Sequence, residues 1–359
     1  MIFSNIQNLL ENGFDEAMNY DFNSIEPISE AHITPDAEGL GQIVLESTRW
    51  DIRFEEALAE TDQQLLVCES AGFNEAKLEQ LQEAVIGNVF KKIVDGFKEL
   101  YAKIVGFFKK LMASLSVMSG DVKKSLSNAE KYLNKNFSEY TYTGYKWKST
   151  DIAQKLSSNL SKSVTMTKAL ISSNITAANG ASLDKIKAMG AQEDKPEERI
   201  SKIVGSNVNT LEEAKRIIID SYLESETPEI IKGFAVENKD AMLTFLKGFE
   251  KNKVLNNLKD NTIKEYQKVV QLAEKTKNDV EKIQSKYKSE GKDPDVADNS
   301  STVLSKIVAN AKTQLMICKS NLNIYNTLMG ECITLEKKKF NDYKKAISGA
   351  VRYTPKKDK

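Results

Sequence analysis

Apolar side chains recur at heptad spacing in three stretches of the chain, and each stretch predicts a long helix. In the first stretch, 84–118, the apolar positions step by four and three residues without a break. This seam consists of Ile86, Phe90, Ile93, Phe97, Leu100, Ile104, Phe107 and Leu111. The same stretch holds six lysines and only two acidic residues. The pattern therefore predicts a basic amphipathic helix whose interaction face is this seam.

A broad aromatic face opposite a row of lysines is typical of two kinds of helix. One kind packs inside a helical bundle or between subunits, and the other lies on a membrane surface. The chain has no run of about 18 apolar residues, so we expect no membrane-spanning helix. We favour the packed helix, because a soluble bundle needs apolar faces of this kind to form its core.

The last third of the chain holds the other two heptad stretches, which together predict an antiparallel coiled-coil hairpin. Helices are expected near 253–290 and 301–348, and the segment between them contains Gly291 and Pro294, which favour a turn. The first seam consists of Ile263, Tyr266, Val270, Ala273, Val280 and Tyr287, and the second of Leu304, Val308, Ala311, Leu315, Cys318, Leu322, Tyr325, Met329 and Cys332. Continuous helix would hold Cys318 and Cys332 about 21 Å apart, which excludes a disulfide between them.

The segment 137–148 alternates aromatic and polar residues, which is typical of a small β-hairpin or a bulged strand pair. Its aromatic residues are Tyr140, Tyr142, Tyr145 and Trp147. Such a cluster can stack on single-stranded nucleic acid, but we favour packing against protein, because no binding motif accompanies it. Residues 151–250 predict several short helices separated by turns, one of them at Asn179-Gly180.

Charge divides the chain at Ala84. Residues 1–83 hold 18 acidic and 3 basic side chains, a net charge of −15, whereas residues 84–359 hold 33 acidic and 48 basic side chains, a net charge of +15. Such asymmetry usually marks an arm with its own fate or partner. We expect residues 1–45 to be poorly structured, because few aromatic residues accompany the acids there. A helix is expected from Glu46 until an interruption near Ser70.

Composition supports a helical fold, since the 359 residues include only 6 prolines and 17 glycines. We predict a mainly α protein, a helical bundle with a long antiparallel coiled-coil hairpin and at most a small β-hairpin. The predicted parts are an acidic N-terminal arm at 1–83, a basic amphipathic helix at 84–118, a helical body with a small aromatic β element at 119–250, a long helical hairpin at 251–350 and a basic tail at 351–359.

Residues suited to catalysis are scarce. His32 is the only histidine, and it lies in the acidic arm, where little would hold it in position as a general base. The chain has no phosphate-binding loop, and Gly39-Leu40-Gly41 is only a fragment of a dinucleotide fingerprint. Three cysteines without a close pair argue against a zinc site and against a disulfide-rich secreted domain, and no signal peptide is expected. We therefore predict a protein without catalytic, cofactor-binding or metal-binding residues.

The acidic arm, the segment FKKIVDGFKELYAKIVGFFKKLM and the lysine-rich helical body together resemble virion structural proteins of large tailed bacteriophages. The resemblance is one of organisation and covers roughly residues 40–120. It implies that a prohead protease trims the chain after a glutamate in a Leu/Ile-x-Glu motif. Leu81, Gln82 and Glu83, followed by Ala84, match that motif where the charge changes sign. Other matches end at Glu11, Glu30, Glu60, Glu213, Glu265 and Glu274.

The resemblance implies a non-enzymatic structural protein of the phage head, made in the host cytoplasm and assembled into the virion. Its partners would be other virion proteins, further copies of the chain and packaged DNA, which a basic body would contact without reading sequence. Two alternatives stay open. One is a membrane-active helical toxin or effector that uses residues 84–112, and the other is a cytoplasmic coiled-coil scaffold protein.

Overall fold

The computed structural model describes residues 35–70, 86–113, 140–180, 195–232, 236–250, 253–290 and 294–352. Within these ranges it contains eight helices and one two-stranded sheet, which confirms the predicted mainly α fold. The helices are α1 (Pro35–Ser70), α2 (86–113), α3 (Ile152–Gly180), α4 (Pro196–Val204), α5 (Leu211–Tyr222), α6 (Val236–Glu250), α7 (Lys253–Glu290) and α8 (Pro294–Arg352). The strands are β1 (Thr141–Gly144) and β2 (Glu229–Lys232).

Helix α8 is the central element of the bundle. Its 59 residues extend over about 88 Å. It packs against α1, α3, α4, α5, α6, α7 and β1. Six consecutive residues, 321–326, are buried, so the helix passes through the interior of the bundle at this point. The other elements are therefore arranged around one long helix.

The predicted hairpin is formed by α7 and α8, which pack antiparallel. Thr262 lies opposite Tyr325, with 2.8 Å between their hydroxyl oxygens, and Asn326 donates a hydrogen bond to the hydroxyl of Tyr266. Helix α7 has the predicted bounds. Helix α8 begins at Pro294, so the predicted start at 301 is wrong by seven residues. Proline is well tolerated in a first helical turn, because its missing N–H would have no partner there.

Helix α3 is longer than expected, because residues 151–250 were predicted to form only short helices. It runs for 29 residues and ends at Gly180, where the sequence predicts a turn. Its hydroxyl side chains do not interrupt it, since Thr165 and Thr176 each donate to the backbone carbonyl four residues earlier. Its buried face packs against α7 and α8.

The small β element is present, but the predicted local pairing is wrong. Strand β1 pairs antiparallel with β2, from Thr141 opposite Lys232 to Gly144 opposite Glu229. Its partner therefore comes from the end of the 195–232 range and not from 137–148. The signal for β2 is the β-branched pair Ile230-Ile231, which favours an extended strand.

The short helices α4 and α5 begin and end as their local chemistry requires. Helix α4 ends before Gly205, whose φ of 80° is the left-handed conformation that glycine adopts most readily. Thr210 caps α5 by accepting a hydrogen bond from the backbone N–H of Glu213. The Glu213 carboxylate accepts one in return from the N–H of Asn209 at 2.7 Å. Both helices then pack against α8.

The acidic segment contributes to the core. The prediction that residues 1–45 are poorly structured is wrong for 35–45, and 1–34 lie outside the described residues. Helix α1 begins at Pro35, and Leu40, Ile43 and Phe54 on it are buried. Together with Ser47 and Trp50 these residues follow heptad spacing, a pattern that the acidic composition obscured. Helix α1 is described as far as Ser70, and Ala71 and Gly72 of the predicted interruption lie outside the described residues.

Candidate functional site: the cleft that holds the acidic helix

The two oppositely charged parts of the chain meet where α1 packs against α2 and α8. Helix α1 carries nine acidic and two basic residues, whereas α2 carries six basic and two acidic, and α8 nine basic and five acidic. We call the surface of α2 and α8 that α1 covers the α1 cleft. The apolar face of α1 fills this cleft, and its acidic residues meet cations of both walls.

Lys319 of α8 holds α1 from inside the cleft. Its side chain is 4% exposed, and its Nζ pairs with the carboxylate of Asp51. The same Nζ donates to the backbone carbonyl of Ser47 at 2.9 Å. It also lies 4.2 Å from the centroid of the Trp50 ring, which is a cation–π distance. Three groups from one face of α1 therefore surround a single buried cation.

Burial opposes the charge on both partners of this pair. Loss of water raises the pKa of Asp51 and lowers the pKa of Lys319, and the attraction between the two groups offsets part of each shift. Removal of one partner from a buried ion pair is strongly destabilising, because the other charge is left uncompensated. We therefore interpret the pair as the contact that fixes the position of α1 in the cleft.

Further cations line the cleft. The Lys312 Nζ lies 5.4 Å from the centroid of the Phe54 ring. At the rim, Lys103 of α2 pairs with Glu46 of α1 and, at 2.7 Å, with Glu99. Although burial opposes the charge, these two bonds raise the pKa of Lys103. The rim pairs are about one-third exposed or more, so each contributes at most about 1 kcal/mol.

Two glycines allow α1 and α2 to approach closely. A Cβ atom on Gly96 would lie 2.6 Å from two ring carbons of Trp50, and one on Gly39 would lie 2.7 Å from the ring of Phe107. Such distances are well inside van der Waals contact, so a side chain at either position would displace the aromatic ring. The Trp50 ring also stacks on Phe54, with 5.0 Å between centroids.

The predicted interaction face of α2 is packed within the chain's own core. Six of its eight residues are buried, namely Phe90, Ile93, Phe97, Leu100, Ile104 and Leu111, whereas Ile86 and Phe107 are half-buried. This is the arrangement that the packed-helix interpretation predicts. Within the described ranges, no helix is both long enough and apolar enough to cross a membrane.

The predicted cleavage sequence lies outside the described residues. Leu81, Gln82, Glu83 and Ala84 all belong to 71–85, the segment that joins α1 to α2. The other matches to the motif within described ranges lie in helices: Glu60 in α1, Glu213 in α5, and Glu265 and Glu274 in α7. His32 also lies outside the described part of the chain.

The aromatic segment after β1 packs against α8. Asp342 Oδ2 accepts hydrogen bonds from Trp147 Nε1 at 2.8 Å and from the backbone N–H of Tyr145 at 3.1 Å. Lys338 lies over the Tyr145 ring, 4.0 Å from its centroid. These contacts agree with the packing interpretation, since both rings are engaged by protein groups.

Sequence analysis missed a buried polar seam, which we define as Ser157, Thr262, Tyr266, Tyr325 and Asn326. The hydroxyl of Tyr325 lies 2.9 Å from that of Ser157 on α3 and 2.8 Å from that of Thr262 on α7. The heptad pattern identified the two tyrosines as seam residues, but it could not show which hydroxyl groups they meet. The polar seam links α3, α7 and α8 and so fixes how the three helices are aligned along their axes.

The two cysteines predicted to lie in the α8 seam are buried free thiols, Cys318 and Cys332. Burial raises the pKa of Cys318 to about 12 and also raises that of Cys332. Across the described ranges, no three histidine, cysteine or acidic side chains are grouped so that they could hold a metal ion.

Comparisons of this chain with protein-family models, with curated proteins and with solved structures each find no match.

Proposed function

We propose that the chain is a non-enzymatic structural protein of a phage virion, associated with the head, whose acidic N-terminal segment is removed during maturation. The observation that carries the proposal is the packing of acidic α1 onto cations of α2 and α8, above all the contact of Asp51 with Lys319. It gives the acidic segment a defined place on the basic body before assembly.

Exposed lysines support a role against packaged DNA. Lys91 and Lys92 lie near one end of the outer side of α2, and Lys109 and Lys110 lie near the other, all four exposed. The two pairs are about 27 Å apart along the helix. Lysine contacts with phosphates give affinity without sequence preference, as a protein that lies against a packaged genome requires. Loss of residues 1–83 would leave a body of net charge +15.

The position of Glu83 supports processing at that residue. It lies between α1 and α2, so a cut there separates the acidic helix from the basic body. The alternative motif matches at Glu60, Glu213, Glu265 and Glu274 lie in helices, where a protease would need local unfolding to bind the chain. A cut after Glu11 or Glu30 would leave α1 attached to the body, because both precede it in the sequence. We therefore assign the cleavage to the bond between Glu83 and Ala84.

The decisive test is the intact mass and N-terminal sequence of the protein from purified particles. We expect the protein to sediment with the particles and to begin at Ala84. A Glu83→Gln variant should remain untrimmed, because a pocket built for a carboxylate loses its charge-assisted bonds. Glu79→Gln is the matched control, since Lys77 stands where the motif needs Leu or Ile. Absence from the particles would overturn the proposal, and retention of residues 1–83 would overturn the processing step.

The alternatives predict different partners for the purified protein. A DNA-facing body should bind duplex DNA with an affinity that falls steeply with salt. A membrane-active protein should instead float with anionic vesicles and would have to release the buried face of α2. A cytoplasmic scaffold should do neither and should be absent from particles.

A further inference from the structure

We propose that the α1 cleft is an exchangeable binding site for an acidic amphipathic helix. Helix α1 fills the cleft in its own chain, and α1 of a second copy fills it once the connection between α1 and α2 is cut. The inference goes beyond the virion role and depends only on the geometry of the cleft.

Most of the described contacts that hold α1 in the cleft come from a short contiguous stretch. Leu40, Ile43, Ser47, Trp50, Asp51 and Phe54 lie on one face within about four helical turns. They supply the apolar surface, the carboxylate, the backbone carbonyl and the aromatic ring that meet the cleft. A peptide with this stretch therefore carries the groups of α1 that meet Lys319 and the apolar walls in the described part of the cleft.

The cleft selects for negative charge. When α1 leaves, Lys319 loses the Asp51 carboxylate, the Ser47 carbonyl and the Trp50 ring together. A neutral or basic helix would cover this ammonium group with only the weaker attraction of Glu99 on α2 to offset its burial, and burial of a poorly compensated charge is costly. The absence of a side chain at Gly96 adds selection by shape, because the Trp50 indole occupies the space that a Cβ would fill. The occupant that satisfies both conditions is α1 itself, so we assign the site to α1 of another copy.

Helices α3 to α8 do not depend on α1 for their mutual contacts, and Lys98 of α2 pairs with Glu274 of α7 at 2.8 Å. Helices α3, α4, α5, α6 and α7 pack on α8 or on one another. The outer side of α1 is exposed, with Leu45 at 44% and Ile52 at 55% exposure. Helix α1 therefore lies on the surface of the bundle, with the cleft on one side and solvent on the other.

The test uses the full chain with a recognition sequence for a specific protease inserted in 71–85. After the cut, we expect the N-terminal fragment to stay bound. A fluorescent peptide of residues 35–70, added in excess, should then displace it by mass action. Two cut preparations with different tags should likewise exchange N-terminal fragments on mixing. Size-exclusion chromatography reports the exchange, and circular dichroism reports whether the body stays folded.

Variants test the assigned contact. An Asp51→Asn peptide should bind the wild-type body about 10- to 100-fold more weakly, because Lys319 stays buried without the carboxylate that pairs with it. A Lys319→Met body should lose the preference for the wild-type peptide and should bind the Asp51→Asn peptide at least as tightly, because the Asp51 carboxylate would then be buried without its partner. A Glu56→Gln peptide is the matched control and should bind as the wild type does, since Glu56 is exposed.

Three outcomes would overturn the inference. They are no exchange in excess peptide, loss of body structure when the fragment leaves, and equal binding of the Asp51→Asn peptide to the wild-type body. The first and third outcomes leave the virion role untouched, because the particle measurements test it separately. The second would also count against removal of residues 1–83 during maturation.

Discussion

Trp147 donates its indole N–H to Asp342 at 2.8 Å, and 195 residues of sequence separate the two. The same carboxylate oxygen accepts the backbone N–H of Tyr145, so one side chain of α8 fixes the segment that follows β1. We expect Asp342→Ala to lower the free energy of unfolding by about 1–3 kcal/mol, because two donors lose their acceptor. Urea denaturation measures this loss.

The control for that variant is Asn341→Ala, a change at the exposed neighbouring residue on the same helix. We expect it to alter the free energy of unfolding by no more than about 0.5 kcal/mol. Equal effects of the two substitutions would show that Asp342 does not hold the aromatic segment.

Tyr325→Phe should weaken the polar seam. The change leaves Thr262 Oγ1 without its bond to the tyrosine hydroxyl, whereas Ser157 keeps its bond to the carbonyl of Ala153. We expect a loss of about 1–2 kcal/mol in the free energy of unfolding. Tyr101→Phe is the control, because Tyr101 lies half-buried on α2 and away from the seam. No difference between the two variants would contradict the role of the seam.

Gly96→Ala should destabilise the packing of α1, because the added Cβ meets the Trp50 ring. Overpacking of this kind costs about 1–3 kcal/mol. On the same helix, a Cβ at Gly106 meets no atom within 4 Å, so Gly106→Ala should stabilise α2 by about 0.5–1 kcal/mol. Thermal unfolding followed by Trp fluorescence distinguishes the two variants. Stabilisation by Gly96→Ala would contradict the close contact between Gly96 and Trp50.

Glu336 should make stability fall as the pH rises. Burial raises its pKa above the ordinary value of 4.5, against a hydrogen bond from the Tyr222 hydroxyl that lowers it. The folded protein binds this proton more tightly than the unfolded chain does. The resulting contribution to the free energy of unfolding is complete below pH 4.5 and is lost as the pH rises through the higher pKa of the folded state.

Glu336→Gln retains an acceptor for Tyr222 and carries no charge. We expect the variant to be more stable than the wild type at neutral pH, and the difference to disappear in acid. Denaturation midpoints across that pH range measure the effect, with exposed Glu56→Gln as the control. A Glu336→Gln variant that is less stable than the wild type at neutral pH would contradict the predicted direction of the pH dependence.

Cys318 and Cys332 should resist alkylation in the folded protein. Both thiols are buried, and burial raises the pKa of each, so little thiolate is present or accessible. In a Cys68→Ser background, we expect iodoacetamide to add no mass to the native protein and two adducts after unfolding. Rapid labelling of either cysteine under native conditions would contradict the packing of α8.

Heptad spacing was sufficient to predict α2, α7 and most of α8, because burial of one face depends on local periodicity. It could not predict which strand pairs with β1, since Ile230 and Thr143 are brought together by the packing of the helices between them. In the N-terminal segment, net charge was given more weight than the periodicity of Leu40, Ile43 and Phe54, so the prediction there was wrong.

The candidate site was harder to predict for a related reason. A lysine next to a seam residue usually extends into solvent, so nothing local indicates that Lys319 is buried. Its burial depends on Asp51 and Trp50, which are more than 260 residues away in the sequence. The sequence contains these groups, but only the three-dimensional packing brings them together.

The central position of α8 has a consequence for synthesis, because the helix against which most of the described elements pack is made after all of them. At about 5–20 residues per second, roughly 10 to 50 s pass between the completion of α2 and that of α8. During this interval the buried face of α2 has α1 but not the complete set of later helices to pack against. The nascent chain therefore needs rapid pairing of α1 with α2, or a chaperone, to avoid aggregation while it is being made.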